Sequence, residues 1–316
     1  MKILFVWPGV TGYMGDCWRE LAAREGVELK VAVDLGEKYF GGAFKSEEVM
    51  RGLDWGDKLP EAWEPELVFS VGWSNKMCRM AAKRWSGVKK VCCFDMPWEW
   101  KLRKVAARWV LRRYLRNFVG ALVPGAQAAR YARWLGFGKV WQGLFGTETG
   151  RFRTSGPRNG GFLYVGREAR EKGIDVLKTA YELYRMRGGT WDLKVVSAAS
   201  PDEVARYYGE AEAFVLASRE EPWGVVLAEA AAAGLPIICT DKCGARHEVV
   251  KGNGFIVKAG DAEALSRAME KVARMDESDR LAMGEKGRKL AEEFGCAAWA
   301  DRVLAIAKEL TGKEGI

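Results

Sequence analysis

Short apolar runs recur along the chain, and most are followed by a longer stretch in which apolar positions return at helical period. In the first half the runs are "KILFVW", "LKVAV", "LVFSV", "KVCCF" and "GALVP"; in the second half they are "FLYVG", "LKVVS", "AFVLA", "PIICT" and "GFIVK". Continuous apolar runs separated by amphipathic helices predict parallel strands covered on both faces. Two such series predict an α/β chain with two Rossmann-like domains. Gly, Pro, Ser and Arg cluster in "GTETGRFRTSGPRNGG", residues 146–161, and mark the join. The expected domains are 1–153 and 154–316. The tail from Ala297 to Leu310 reads as a last amphipathic helix that can return to the first domain.

The turn after the first strand, "PGVTGYMGDCW", carries Gly9, Gly12 and Gly15. It is not GxGxxG, so a nicotinamide site is not indicated. Glycines there still let a phosphate approach a helix N-terminus closely, or serve only the turn itself.

Length and composition fit this picture. A chain of 316 residues exceeds what one core usually supports. The content is 48% hydrophobic and 29% charged, as in ordinary soluble proteins. No apolar run reaches membrane-spanning length, and the start lacks the features of a signal peptide, so a cytoplasmic location is expected, with peripheral membrane association left open. The seven cysteines form no CxxC pair and are expected as reduced, buried thiols. His247 is the only histidine, which disfavours His-based hydrolases and His-rich metal sites.

The chemistry concentrates in "REEPWGVVLAEAAAAGLP", where Glu221 and Glu229 have seven residues between them. The preceding strand, "AFVLA", leads into a helix whose first turn is expected at Trp223, Gly224, Val225 and Val226. That turn offers free N–H groups and the positive end of the dipole to a diphosphate. Glu221 before it and Glu229 two turns inside it can accept hydroxyl hydrogen bonds on either side. A nucleotide sugar has that order: sugar, diphosphate, ribose. Carboxylates beside phosphates require cations. Arg167 and Lys172 in "FLYVGREAREKGIDVL" follow a strand at the carboxyl edge of the same sheet. They can take the charge of a departing diphosphate in place of a metal. There is no DxD, so no divalent metal and no cofactor are expected.

Together, "YVGREAREKGIDVL" and "LASREEPWGVVLAEAAAAGLPIICTDKCGARHEVVKGNGFIVKAGDAEAL" resemble the second domain of retaining GT-B glycosyltransferases of family GT4. That family carries a VGR…KG segment and an EPFG…EA segment with the same spacing of acids. The match runs over residues 161–270, and the first domain follows the family only in pattern, through "GALVPGAQAARYARWLGF" and "GLFGTETGRF". The resemblance implies a GT-B fold, two Rossmann-like domains facing across a cleft. It also implies that Arg167 and Lys172 bind the diphosphate and stabilise the leaving group. Glu221 would contact the donor sugar, the backbone of Trp223 to Val226 would surround sugar and phosphate, and Glu229 would hold the ribose. Gly12 would let the first domain close over the diphosphate. Where many relatives carry a histidine after the fourth strand, this chain has Asp95; it can act on the acceptor hydroxyl or cap the helix that follows. The catalytic set is then Asp95, Arg167, Lys172 and Glu221. After "LKVVS" the chain runs straight into "PDEVARYYGEAEAF", without the family's usual glycine-rich turn and extra strand.

Charge sharpens the acceptor side. Residues 71–158 hold 19 Lys/Arg against Asp95, Glu99 and Glu148, in a chain with a total of +8. The segment also holds seven tryptophans. "WEWKLRKVAARWVLRRYLRNF", residues 98–118, is expected as a helix with Leu102, Val105, Ala106 and Trp109 on one face and Lys101, Arg103, Lys104, Arg108, Arg112 and Arg113 around it. Three readings follow: an anionic membrane surface, a nucleic acid, or a core helix with a basic outer face. The expected activity is metal-independent, retaining transfer of a hexose from a UDP-, GDP- or ADP-sugar to an anionic or membrane-associated acceptor, a lipid or lipid-linked glycan. The alternatives are a glycosyltransferase acting on a hydroxylated DNA base and a non-catalytic nucleotide-sugar binding protein.

Overall fold

The computed structural model describes residues 1–35, 46–153, 158 and 161–313. The chain divides into two compact units, Met1–Gly146 with Cys296–Ile316, and Thr147–Gly295. The division precedes the expected boundary at 153, and residues 154–157, 159 and 160 of the expected join lie outside the described residues.

The first unit is a seven-stranded sheet built from β1 (Lys2–Trp7), β2 (Glu28–Val33), β3 (Trp55–Gly56), β4 (Leu67–Val71), β5 (Lys89–Cys93), β6 (Gly120–Val123) and β7 (Val140–Gln142). Its order is β3-β2-β1-β4-β5-β6-β7, and every pairing is parallel. Ile3, Leu4, Phe5 and Val6 of the interior strand β1 are fully buried, as an apolar run covered on both faces must be. Gly15 lies on the helix Gly12–Ala22, where a Cβ would meet Val49 at 2.7 Å, so this glycine serves close packing. Gly12 opens the same helix with nothing within 4 Å of its Cβ position.

The tail helix, Cys296–Thr311, belongs to this first unit. Trp299, Val303, Ile306 and Leu310 form its buried stripe. Trp299 is fully buried, donates its indole N–H to the Leu144 carbonyl at 2.8 Å, and lies 5.6 Å from the Phe5 ring. Burial of that stripe, and a hydrogen bond that satisfies the indole, hold the chain's end against β1.

Residues 98–118 form two helices, Leu102–Val110 and Arg112–Leu115, where one was expected. Trp98 is kept out of the helix because its amide donates to the Gln127 carbonyl at 3.1 Å and its ring packs 5.0 Å from Trp134. The helix Leu102–Val110 contains no buried residue, which removes the reading of it as a core helix.

The second unit is a five-stranded parallel sheet: β8 (Phe162–Val165), β9 (Leu193–Val196), β10 (Ala213–Leu216), β11 (Ile237–Thr240) and β12 (Gly254–Val257). Its order is β12-β11-β10-β8-β9. The chain leaves β8 outward to β9 and then returns to the other side of β8 as β10. The loops after β8 and β10 therefore diverge at their carboxyl ends, where open α/β sheets place ligands.

Replacing Trp299 by Ala is expected to cost the first unit about 3–5 kcal/mol. Urea unfolding followed by tryptophan fluorescence and circular dichroism should show an early transition that wild-type protein lacks.

Candidate active site

Lys172 reaches the site through two glycines. Gly166 after β8 (φ 156°) turns the chain, and Arg170–Lys172 form a single 3-10 turn before the helix Ile174–Met186. Between turn and helix stands Gly173, with φ at 66°. A Cβ there would sit 2.2 Å from the Ala217 carbonyl oxygen. Only glycine allows both the left-handed conformation and that approach. The loop after β8 is thereby seated on the loop after β10. Two amides tie the loops further: Arg219 and Glu220 both donate to the Glu171 carbonyl, at 2.7 and 3.1 Å.

This seating brings Lys172 and Glu221 together. The ammonium donates to Glu221 Oε2 at 2.5 Å, and Ser218 Oγ lies 3.4 Å from the same oxygen. Glu221 is 9% exposed and the Lys172 side chain 18%. Such a pair needs its geometry held, since each charge has lost most of its water. The backbone does so: Glu221 N donates to the Lys242 carbonyl at 3.2 Å, and its carbonyl accepts from Gly244 N at 2.9 Å.

The helix that follows begins at Val225, two residues later than expected. Trp223 and Gly224 precede it. Gly224 is the N-cap with φ at 93°, and a Cβ there would stand 3.1 Å from Glu221 Cγ. No side chain caps the helix, so its first N–H groups have no side-chain acceptor. Trp223 is buried beside Phe294. Val225 and Val226 form the first turn, and Glu229, half-buried, stands one turn further.

Tyr208 was not singled out in the sequence. Its fully buried hydroxyl lies 3.0 Å from Glu229 Oε2 and 3.3 Å from the Val226 carbonyl. Burial, and then the Glu229 carboxylate, push the phenol well above its ordinary range. It is a fixed donor that orients Glu229. The only sequence signal is its place in "ARYYGEAEAF", on the helix Pro201–Glu210. Tyr164 is a second such residue: its hydroxyl donates to the Arg167 carbonyl at 3.1 Å, and burial, with Glu221 next, raises it.

Arg167 is exposed and pairs with Glu171 at 3.1 Å; it does not join the Lys172–Glu221 pair. Asp95 lies half-buried after β5. It does not cap the helix that follows, which starts at Leu102 with Lys101 at the N-cap. His247 is exposed on the short helix Arg246–Val249. In the basic segment, Lys101 and Lys104 pair with Glu99 at 3.1 and 2.8 Å, and Arg108 donates to the Trp134 carbonyl. Arg103, Trp109, Arg112 and Arg113 are exposed.

Residues 187–290 match the family model described as glycosyl transferases group 1. The capsular polysaccharide biosynthesis glycosyltransferase CapM of Staphylococcus aureus is 30% identical over 154 residues, covering 41% of this chain and 40% of that protein. The lipopolysaccharide core biosynthesis glycosyltransferase LpsE of Rhizobium meliloti is 32% identical over 115 residues, 36% of this chain and 34% of that protein. The aligned part thus spans less than half the length of these relatives. Among solved structures, Anabaena HepE in complex with UDP superposes with a TM-score of 0.73 at 16% identity, covering 98% of this chain and 100% of that one. Sucrose-phosphate synthase from Thermosynechococcus elongatus gives 0.72 at 16%, covering 99% and 100%. These likenesses show the α/β fold of GT-B glycosyltransferases, the fold class expected above.

Two outcomes test this geometry. Gly173→Ala should lower stability by ~1–3 kcal/mol, because the loops must part or the backbone must strain; an unchanged thermal midpoint would mean the loops are not seated in solution. Arg219 holds Asp175 through two 2.6 Å bonds, which lower that carboxyl to about 2. Being depressed in the folded state, it stabilises above the unfolded value of ~3.9 and loses this as pH falls toward the folded one. Carboxyl-carbon NMR should find Asp175 titrating at about 2, and Arg219→Ala should raise it toward the free value of ~3.9, with the Val176 amide still holding it below.

Proposed function

We propose that the chain transfers a sugar from a nucleoside-diphosphate sugar to an acceptor hydroxyl, with retention at the anomeric carbon and without a divalent metal. The observation that carries this is the Lys172–Glu221 pair at the point where strand order reverses, next to an uncapped helix N-terminus with Glu229 one turn inside. Match to the glycosyl transferases group 1 model over residues 187–290, and the UDP complex of the similarly folded HepE, support the donor class.

In this reading the diphosphate lies at the N–H groups of Val225 and Val226 and draws Lys172 away from Glu221. The freed carboxylate accepts hydroxyl hydrogen bonds from the donor sugar. Glu229, oriented by Tyr208, accepts those of the ribose. The bond from the anomeric carbon to the diphosphate breaks, and its electron pair leaves with the phosphate oxygen. Lys172, Arg167 and the helix dipole stabilise that charge as it develops. The acceptor oxygen bonds to the same face of the carbon, and its proton passes to the departing phosphate. Asp95 is assigned to orienting the acceptor hydroxyl, and Gly12 to giving an anion access to the first helix of the chain. The acceptor is assigned to the lipid or lipid-linked glycan class, since the basic segment matches an anionic surface.

A thermal-shift panel of UDP, GDP, ADP and their sugars in EDTA tests the donor site. At least one should stabilise the protein, and Glu229→Ala should remove most of the shift. Lys172→Ala and Glu221→Ala should each lower turnover by roughly 10²–10³-fold. No shift with any nucleotide would sink the reading, and binding without turnover would make the chain a nucleotide-sugar binding protein.

A further inference from the structure

The helix Leu102–Val110 is amphipathic, yet most of its apolar stripe is exposed, with only Trp109 leaning edge-on toward Trp134 at 6.3 Å and Val105 half-buried. Leu102, Ala106, Trp109 and Val110 fall on one side at helical spacing. Leu102 is 90% exposed, Val110 78% and Trp109 62%; Trp100, just before the helix, is 80% exposed. The opposite side, through Ala107, leads to Leu111 and Tyr114, which pack on the cluster around Phe94, Tyr131 and Leu135. A surface helix ordinarily turns its apolar stripe to the core. Of the ten large hydrophobic side chains exposed among the described residues, five lie between Trp100 and Val119, so this is a patch and not scatter.

The charge around the patch is equally one-sided. Glu99 is the only acidic residue between Met96 and Thr147, and Lys101 and Lys104 already occupy it. Arg112, Arg113 and Arg116 are exposed and have no carboxylate partner among the described residues. Arg108, Arg112 and Arg116 also line one groove with Trp109. Exposed aliphatic and indole groups flanked by unneutralised guanidinium groups are the two halves of an interfacial membrane anchor: one enters the headgroup–acyl boundary, the other meets lipid phosphates.

We infer that the helix Leu102–Val110 docks this protein on an anionic lipid bilayer, with Trp100, Leu102, Trp109 and Val110 inserted and Arg103, Arg112, Arg113 and Arg116 on the phosphates. Leu102 and Val110 decide between a bilayer and a nucleic acid. Aliphatic side chains gain from hydrocarbon and offer a base nothing to stack on. No helix among the described residues is long and apolar enough to cross a membrane, so the contact is with one leaflet. The surface lies wholly in the first unit and does not rest on the transfer chemistry proposed above.

Flotation of the full chain, without donor, tests it on vesicles of phosphatidylcholine alone and with 30% phosphatidylglycerol. Binding to the anionic vesicles should exceed that to neutral ones at least tenfold and fall with salt. Leu102→Ser/Val110→Ser should cut it at least tenfold with unchanged circular dichroism and thermal midpoint, since both side chains are already in water. Arg112→Gln/Arg113→Gln should weaken it and flatten the salt dependence. Absence of flotation with anionic vesicles overturns the proposal, as does flotation that the Leu102/Val110 variant leaves intact. Tight binding to duplex DNA that needs the arginines but not Leu102 and Val110 would assign the patch to nucleic acid and overturn it equally.

Discussion

A parallel sheet returns every strand to the same starting edge, so every strand ends at the other edge, and all its outgoing loops share that side. In the second unit the order of strands reverses between β8 and β10, and their loops must leave in opposite directions. The gap this opens is closed most tightly where Gly173 stands against the Ala217 carbonyl, and the Arg219 and Glu220 amides on the Glu171 carbonyl hold it shut. Any side chain at 173 would hold the loops apart. From that contact follow the position of Lys172, the depth of Glu221 and the direction in which the next helix begins.

Burial makes the Lys172–Glu221 pair more than a salt bridge between loops. A carboxylate that is 9% exposed has little water to stabilise it, so it is committed to a cation or to hydroxyl donors. The same holds for the ammonium. Each is therefore a poor partner to leave alone and a good one to exchange. In the proposed function a diphosphate would offer the lysine a stronger anion, and a sugar would offer the carboxylate hydroxyls. The site is held in order by the two groups that the proposed donor would separate. Tyr208 extends this along the helix, because a phenol that burial keeps protonated can only donate to Glu229.

The first unit shows how far pattern alone reaches. Its long buried strands were legible because two-sided burial leaves nothing but apolar residues. Trp55–Gly56 and Val140–Gln142 were not, since strands of two and three residues at or near an edge leave no run to read. The helix period of residues 98–118 was visible, but its orientation was not. A stripe of Leu102, Val105, Ala106 and Trp109 looks the same whether it faces a core or a bilayer. Only the packing of Trp98 on Trp134, and of Leu111 and Tyr114 on the cluster beneath, turns Leu102, Ala106 and Trp109 outward and leaves Val105 half-buried.

The sequence by itself determined the class of fold and the places of most strands, and it singled out Lys172 and Glu221, which the structure pairs. These are local matters: strand period, helix start and spacing of charges are written over a few adjacent positions. Tertiary structure decided the rest. It put the tail helix on β1 through Trp299, left Arg167 outside the buried pair, and supplied Tyr208 to Glu229 from a helix that sequence had no reason to place there. Each of these joins residues far apart along the chain, and no periodicity records which distant surface a buried side chain will meet.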